Sequence, residues 1–133
     1  MPALDTNVIL RYIVEDDPRQ TRVAQRYIEK HAVAGDSLFL ATSVILETEW
    51  VLRSVYRFNK GEVIEVFVGL LEAREITFQD EASLERAVHR YRDLNIDFAD
   101  CLHLATAQTF DQLPLATFEK KAGGIDGFEA LLS

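Results

Sequence analysis

The spacing of apolar residues changes several times along the chain, and each change marks a predicted element. Ala3 and Leu4 read as the end of a short buried strand, and the chain from Asn7 to Val14 then reads as a helix. Asp16-Asp17-Pro18 breaks that helix, and Pro18 suits the first turn of the next, predicted over 19–31 with Val23, Tyr27 and Ile28 inward. A turn at Ala34-Gly35-Asp36 leads to a buried strand over 37–41. Thr42 or Ser43 caps a long helix through 56, Asn59-Lys60-Gly61 ends it, and a second helix follows over 62–73. That second helix is apolar nearly all round (Val63, Ile64, Val66, Phe67, Val68, Leu70, Leu71), more than one core needs, which predicts a partner surface. A strand over 76–78 precedes a helix capped by Asp80 and running through 92, with Leu84, Ala87, Val88 and Tyr91 inward. Asp97 opens a further helix to 110, a strand follows over 114–117, and a Gly-rich turn leads to a short terminal helix near 128–131. Strands alternating with helices predict an α/β fold with a parallel sheet covered on both faces.

Length and composition narrow this to one soluble domain over residues 1–133, with 48% hydrophobic and 27% charged residues. No apolar run approaches the roughly 20 residues that cross a bilayer, and no secretory signal is visible, so no membrane association is expected. Cys101 is the sole cysteine, which excludes an internal disulfide and fits a reducing cytoplasm. The formal net charge of −8 argues against a nucleic-acid binder, unless clustered carboxylates hold cations that reverse the local field.

Candidate chemistry lies in the acids. Asp5 stands where a strand ends and a helix begins, the place where open parallel sheets carry their ligand sites. Val44, Thr48, Val51 and Val55 recur at helical spacing, which puts Glu47 on an inward stripe and Glu49 facing away. A carboxylate on a core face is costly unless an arginine or a metal ion compensates it. The helix from Asp97 is apolar on most sides through Phe98, Cys101, Leu102, Leu104, Ala105 and Ala107. Yet Asp97 and Asp100 share one face at its N-terminus. Asp97 alone is explained as an N-cap, but two acids there are better explained by a shared cation of the hard, oxygen-seeking kind. The acids from these separate segments are expected to converge on Asp5. His103 follows Asp100 by one turn and is left out of the metal-holding set, and no cysteine–histidine cluster supports a zinc site.

Four stretches, Asp5-Thr6-Asn7-Val8-Ile9-Leu10-Arg11, Leu46-Glu47-Thr48-Glu49-Trp50-Val51-Leu52, Asp97-Phe98-Ala99-Asp100-Cys101-Leu102 and Ala116-Thr117-Phe118-Glu119, together resemble the PIN domain, and within it the VapC-type toxins of toxin–antitoxin pairs. The resemblance implies a PIN-like three-layer α/β/α sandwich with a central parallel sheet. It also implies endoribonuclease activity dependent on Mg²⁺ or Mn²⁺, a homodimer and a cognate antitoxin. It places Asp5, Glu47 and Asp100 as the catalytic acids, with Asp97 joining them as a metal-holding residue. Glu119, Thr6, Asn7 and Thr117 support them, and Arg11, Lys120 and Lys121 are candidates to meet RNA phosphates. Glu119 departs from the family, which usually has Asp after Thr-Phe. Two rivals stand beside this reading. An aspartyl-phosphate phosphatase needs a second Asp two residues after the first, where this chain has Asn7. A catalytically degenerate PIN-like module would bind RNA or protein without cutting, and Glu119 and the acidic balance fit it.

Overall fold

The computed structural model describes residues 1–131, and the chain divides into two compact units, Met1–Asp80 and Glu81–Ser133. Among the described residues the strand pairings are all parallel, in keeping with the α/β PIN-like class.

In the first unit, α1 (Thr6–Val14) buries Thr6, Ile9 and Leu10, and α2 (Pro18–Val33) begins with Pro18 in its first turn. The Asp17 carboxylate caps α2 by accepting from the Gln20 N–H at 3.1 Å. The inward residues of α2 are Thr21, Ala24 and Ile28. Val23, expected inside, is 61% exposed, and Tyr27 is exposed as well. Polar Thr21 and small Ala24 complete the stripe that Ile28 anchors, a pattern invisible when only large apolar residues are counted. Strand β1 (Leu38–Leu40) pairs in register with β2 (Ile76–Phe78), and Ala3 adds a parallel bridge to Phe39 on the other side of β1. The Leu4 N–H donates to the Phe39 carbonyl at 2.9 Å, so Asp5 follows directly on the end of that pairing.

Helix α3 (Thr42–Ser54) starts one residue earlier than a Thr42 cap would allow, with Ala41 at the N-cap position. Its buried residues are Ile45, Thr48, Glu49 and Leu52. Asn59 does not end this helix but opens the next, α4 (Lys60–Glu72), through a capping box with Glu62. Val63, Ile64, Phe67 and Leu70 are buried on α4, while Val66, Val68 and Leu71 remain half-buried. The Arg11 guanidinium ties the unit together, donating to Gln20 at 2.6 Å, to Asp16 at 3.0 Å and to the Tyr56 hydroxyl at 3.0 Å.

In the second unit, α5 (Glu81–Asp93) and α6 (Phe98–Thr109) bury the residues that their periodicity assigns inward, Leu84, Ala87, Val88 and Tyr91 against Phe98, Cys101, Leu102, Leu104 and Ala105. Tyr91 meets Phe98 edge-to-face at 5.4 Å, and the buried Ser83 hydroxyl donates to Thr109 at 2.8 Å. Strand β3 (Leu115–Thr117) pairs in parallel with β4 (Phe128–Ala130), and a short α7 (Lys120–Gly123) stands between them. The helix expected near 128–131 is therefore a strand. The β3 edge offers backbone partners at once: Leu115 N–H to the Gly127 carbonyl at 2.9 Å and Leu131 N–H to the Thr117 carbonyl at 2.7 Å. Gly127 makes this entry possible, because its φ is +97° and a Cβ there would stand 2.9 Å from Leu104 Cδ1. Among the described residues, no helix is long and apolar enough to cross a membrane.

Candidate active site

Each unit presents acids at the boundary between a strand or loop and a helix. In the first unit, Asp5 occupies the N-cap position of α1 in extended conformation, and its carbonyl accepts from the Val8 and Ile9 N–H groups at 3.0 and 3.2 Å. Its carboxylate caps no backbone amide among the described residues. That separates it from Asp17, whose side chain is spent on its helix. Asp5 is exposed, as is Asn7.

Glu47 is exposed rather than inward. The core stripe of α3 is Ile45, Thr48, Glu49 and Leu52, spaced as i, i+3, i+4 and i+7, and Glu47 falls beside it. The buried carboxylate is Glu49, only 2% exposed, which accepts from Arg53 Nε at 2.8 Å one turn later. The buried ion pair weighed for Glu47 thus exists two residues on. Glu47 is held from its own side, since the hydroxyl of buried Thr6 donates to its Oε1. Thr6 and Glu47 are the two sequence-predicted residues that the first unit brings into direct contact.

In the second unit, Asp97 is at the N-cap of α6 and Glu119 at the N-cap of α7, and among the described residues neither side chain caps its helix. Asp100 lies half-buried in the first turn of α6. Burial raises the Asp100 carboxyl above the usual carboxylate range, the charge of Asp97 raises it further, His103 opposes, and Glu119 adds to the rise. Asp100 therefore feels the charges of both Asp97 and Glu119. The Thr117 hydroxyl accepts the Glu119 N–H at 3.0 Å and fixes the turn that carries it. His103 was a neighbour by spacing, and it bears on Asp100 by charge rather than as one of the acids. Lys120 and Lys121 are exposed, whereas Arg11 is committed to Gln20, Asp16 and Tyr56. The Tyr56 hydroxyl above all raises the Arg11 guanidinium still further above its ordinary value.

Among the described residues, no group of three or more His, Cys, Asp or Glu side chains is arranged to hold a metal ion. Mg²⁺ asks for less, usually one or two carboxylates with water and substrate phosphate completing its shell. The donors present are hard oxygens, and the mutual repulsion felt at Asp100 is what a divalent cation relieves. The residues fit such an ion in chemistry.

The family described as PIN domain matches residues 3–126. A curated relative, the VapC ribonuclease of Aquifex aeolicus (strain VF5), is 22% identical over 121 residues, covering 91% of this chain and 89% of its own. No solved structure gives a significant match.

Proposed function

The chain belongs to the PIN domain family, and from that membership we propose that it is an endoribonuclease dependent on Mg²⁺ or Mn²⁺, acting as the toxin of a toxin–antitoxin pair. The observation that carries this reading is the set of unspent acids at helix starts. Asp5, Asp97 and Glu119 each occupy an N-cap position without capping among the described residues. An acid at that position is normally rewarded by the amides it binds, so a different ligand accounts for their placement. The family match runs through both compact units, which supports treating residues 1–133 as one functional PIN-like domain.

In this reading Asp5, Glu47 and Asp100 are the acids that would serve as metal ligands, with Asp97 as a further one. When bound, such an ion would supply Lewis acidity to the phosphodiester and would lower the pKa of an attacking water. Thr6 holds Glu47 in the orientation that binding needs, as outer hydrogen bonds do for metal ligands generally. Thr117 sets the turn that presents Glu119, and Asn7, exposed two residues after Asp5, would help to orient the carboxylates. Lys120 and Lys121 offer charge to the RNA backbone, and Arg11, spent within the fold, is withdrawn from that role.

A cognate antitoxin and a second copy of the chain are the proposed partners, in the cytoplasm. Two features of the first unit support partner binding. A cavity of about 210 Å³ is lined by Ile9, Ile13, Ile28, Val66 and Leu70, with Glu65 and Glu75 also on its wall. Trp50, on α3 one turn beyond Glu47, is 56% exposed, as aromatic anchors of interfaces often are before binding.

Incubation of purified protein with total cellular RNA tests the reading. Discrete fragments should appear with Mg²⁺ or Mn²⁺ and vanish with chelator and in Asp5→Asn. Absence of cleavage under all these conditions would overturn it in favour of a degenerate binding module.

A further inference from the structure

We propose that Phe118 is a stacking platform for a base of single-stranded RNA, an inference that rests on the ribonuclease reading above. Phe118 is 67% exposed, the highest value among the large hydrophobic side chains described in the second unit. Its ring has no polar atom for water to reward, so its exposure costs free energy unless something covers it.

The backbone around Phe118 is held on both sides. Leu115–Thr117 is paired with β4, α7 starts at Lys120, and the Thr117 hydroxyl accepts the Glu119 N–H at 3.0 Å across the residue between them. A ring presented from so short and fastened a turn loses little freedom when a ligand covers it.

The neighbours identify the ligand. Directly after it in the chain, Glu119 bears electrostatically on Asp100, and Lys120 and Lys121 are exposed cations. An apolar aromatic face beside cations is what single-stranded nucleic acid asks for: every base has a face to stack, and every linkage has a phosphate. A protein partner would be served by the ring but has no general use for the lysine pair. Stacking tolerates any base, so Phe118 would contribute affinity and position with little sequence preference.

Two measurements test this. Steady-state cleavage of single-stranded RNA compares wild type with Phe118→Leu, which keeps apolar bulk and removes the ring, and with Phe118→Trp, which keeps a ring. Phe118→Leu should raise KM by about tenfold or more with kcat nearly unchanged, and Phe118→Trp should restore the wild-type KM. The second measurement is independent of cleavage. The double variant Trp50→Phe/Phe118→Trp leaves the introduced indole as the sole tryptophan. Its fluorescence should be quenched by short oligoadenylate in Ca²⁺, saturating with concentration. Quenching without any cleavage by wild type would support stacking while removing the ribonuclease reading. Cleavage by wild type, with KM untouched in Phe118→Leu and no quenching, would overturn the stacking role and leave the ribonuclease reading standing. A KM rise in Phe118→Leu that Phe118→Trp fails to restore would overturn it too, since bulk rather than ring character would then matter.

Discussion

The hydroxyl of Thr6 donates its hydrogen bond to the carboxylate of Glu47, 41 positions later, and so fastens the first turn of α1 to the exposed face of α3. Thr6 is buried and Glu47 is exposed, so the bond aims a carboxylate from a fixed base. Thr6→Val keeps the shape and removes the donor. We expect a stability loss of about 1 kcal/mol and a fall in turnover of about tenfold to a hundredfold. Urea unfolding and RNA cleavage rates check the two halves, and a variant equal to wild type in turnover would detach Thr6 from the site.

Glu47 and Glu49 should separate cleanly by mutation. Arg53→Ala strips the buried Glu49 of its partner. Arg53 is itself 45% exposed, so the cost falls below that of a fully buried pair, at about 1–2 kcal/mol. Cleavage measured below the unfolding transition should be unaffected. Glu47→Gln should do the opposite, abolishing cleavage with little change in the urea midpoint. Loss of cleavage in Arg53→Ala under folded conditions would reverse the assignment of the two glutamates.

The confusion between those two acids shows where the sequence is opaque. Val44, Val51 and Val55 are apolar and helically spaced, yet Val55 is 59% exposed. The true stripe is half polar, with Thr48 and Glu49 between Ile45 and Leu52, and a count of apolar positions passes over it. By contrast α5 and α6 bury large aliphatic and aromatic residues on nearly every inward turn, so their period and faces are read directly from the chain. Asp97 and Asp100 were legible for the same reason, as acids on a helix with little other room for charge. The strand at Phe128–Ala130 was not, because its stabilisation comes from a neighbouring edge and not from its own residues. Neither was the clamp on Arg11, whose partners lie up to 45 positions away.

Thr48 offers a test free of any functional assumption. Its hydroxyl oxygen is buried with no hydrogen-bond partner among the described residues. Thr48→Val replaces it by a methyl group of similar size and should stabilise the protein by about 1 kcal/mol. The urea midpoint should rise with the slope unchanged. A fall in the midpoint would mean that the hydroxyl has a partner in solution.

Asp100 should make stability depend on pH in a definite direction. Its folded pKa is raised above the ordinary value of 3.8, by burial first and by Asp97 next. Its contribution to stability is therefore fully present below that ordinary value and is lost as pH rises through the raised one. In metal-free buffer Asp100→Asn should be more stable than wild type at neutral pH, and the difference should shrink on acidification. A difference that stays constant with pH would contradict the sign.

Titration of Mn²⁺ into wild type and Asp100→Asn, followed by calorimetry, tests the central claim most directly. The account predicts saturable binding to wild type, weakened by at least about tenfold in Asp100→Asn, with the urea midpoint of wild type rising as metal is added. Wild type that binds no Mn²⁺, or an Asp100→Asn variant that binds it equally well, would contradict the assignment of these acids to a metal centre.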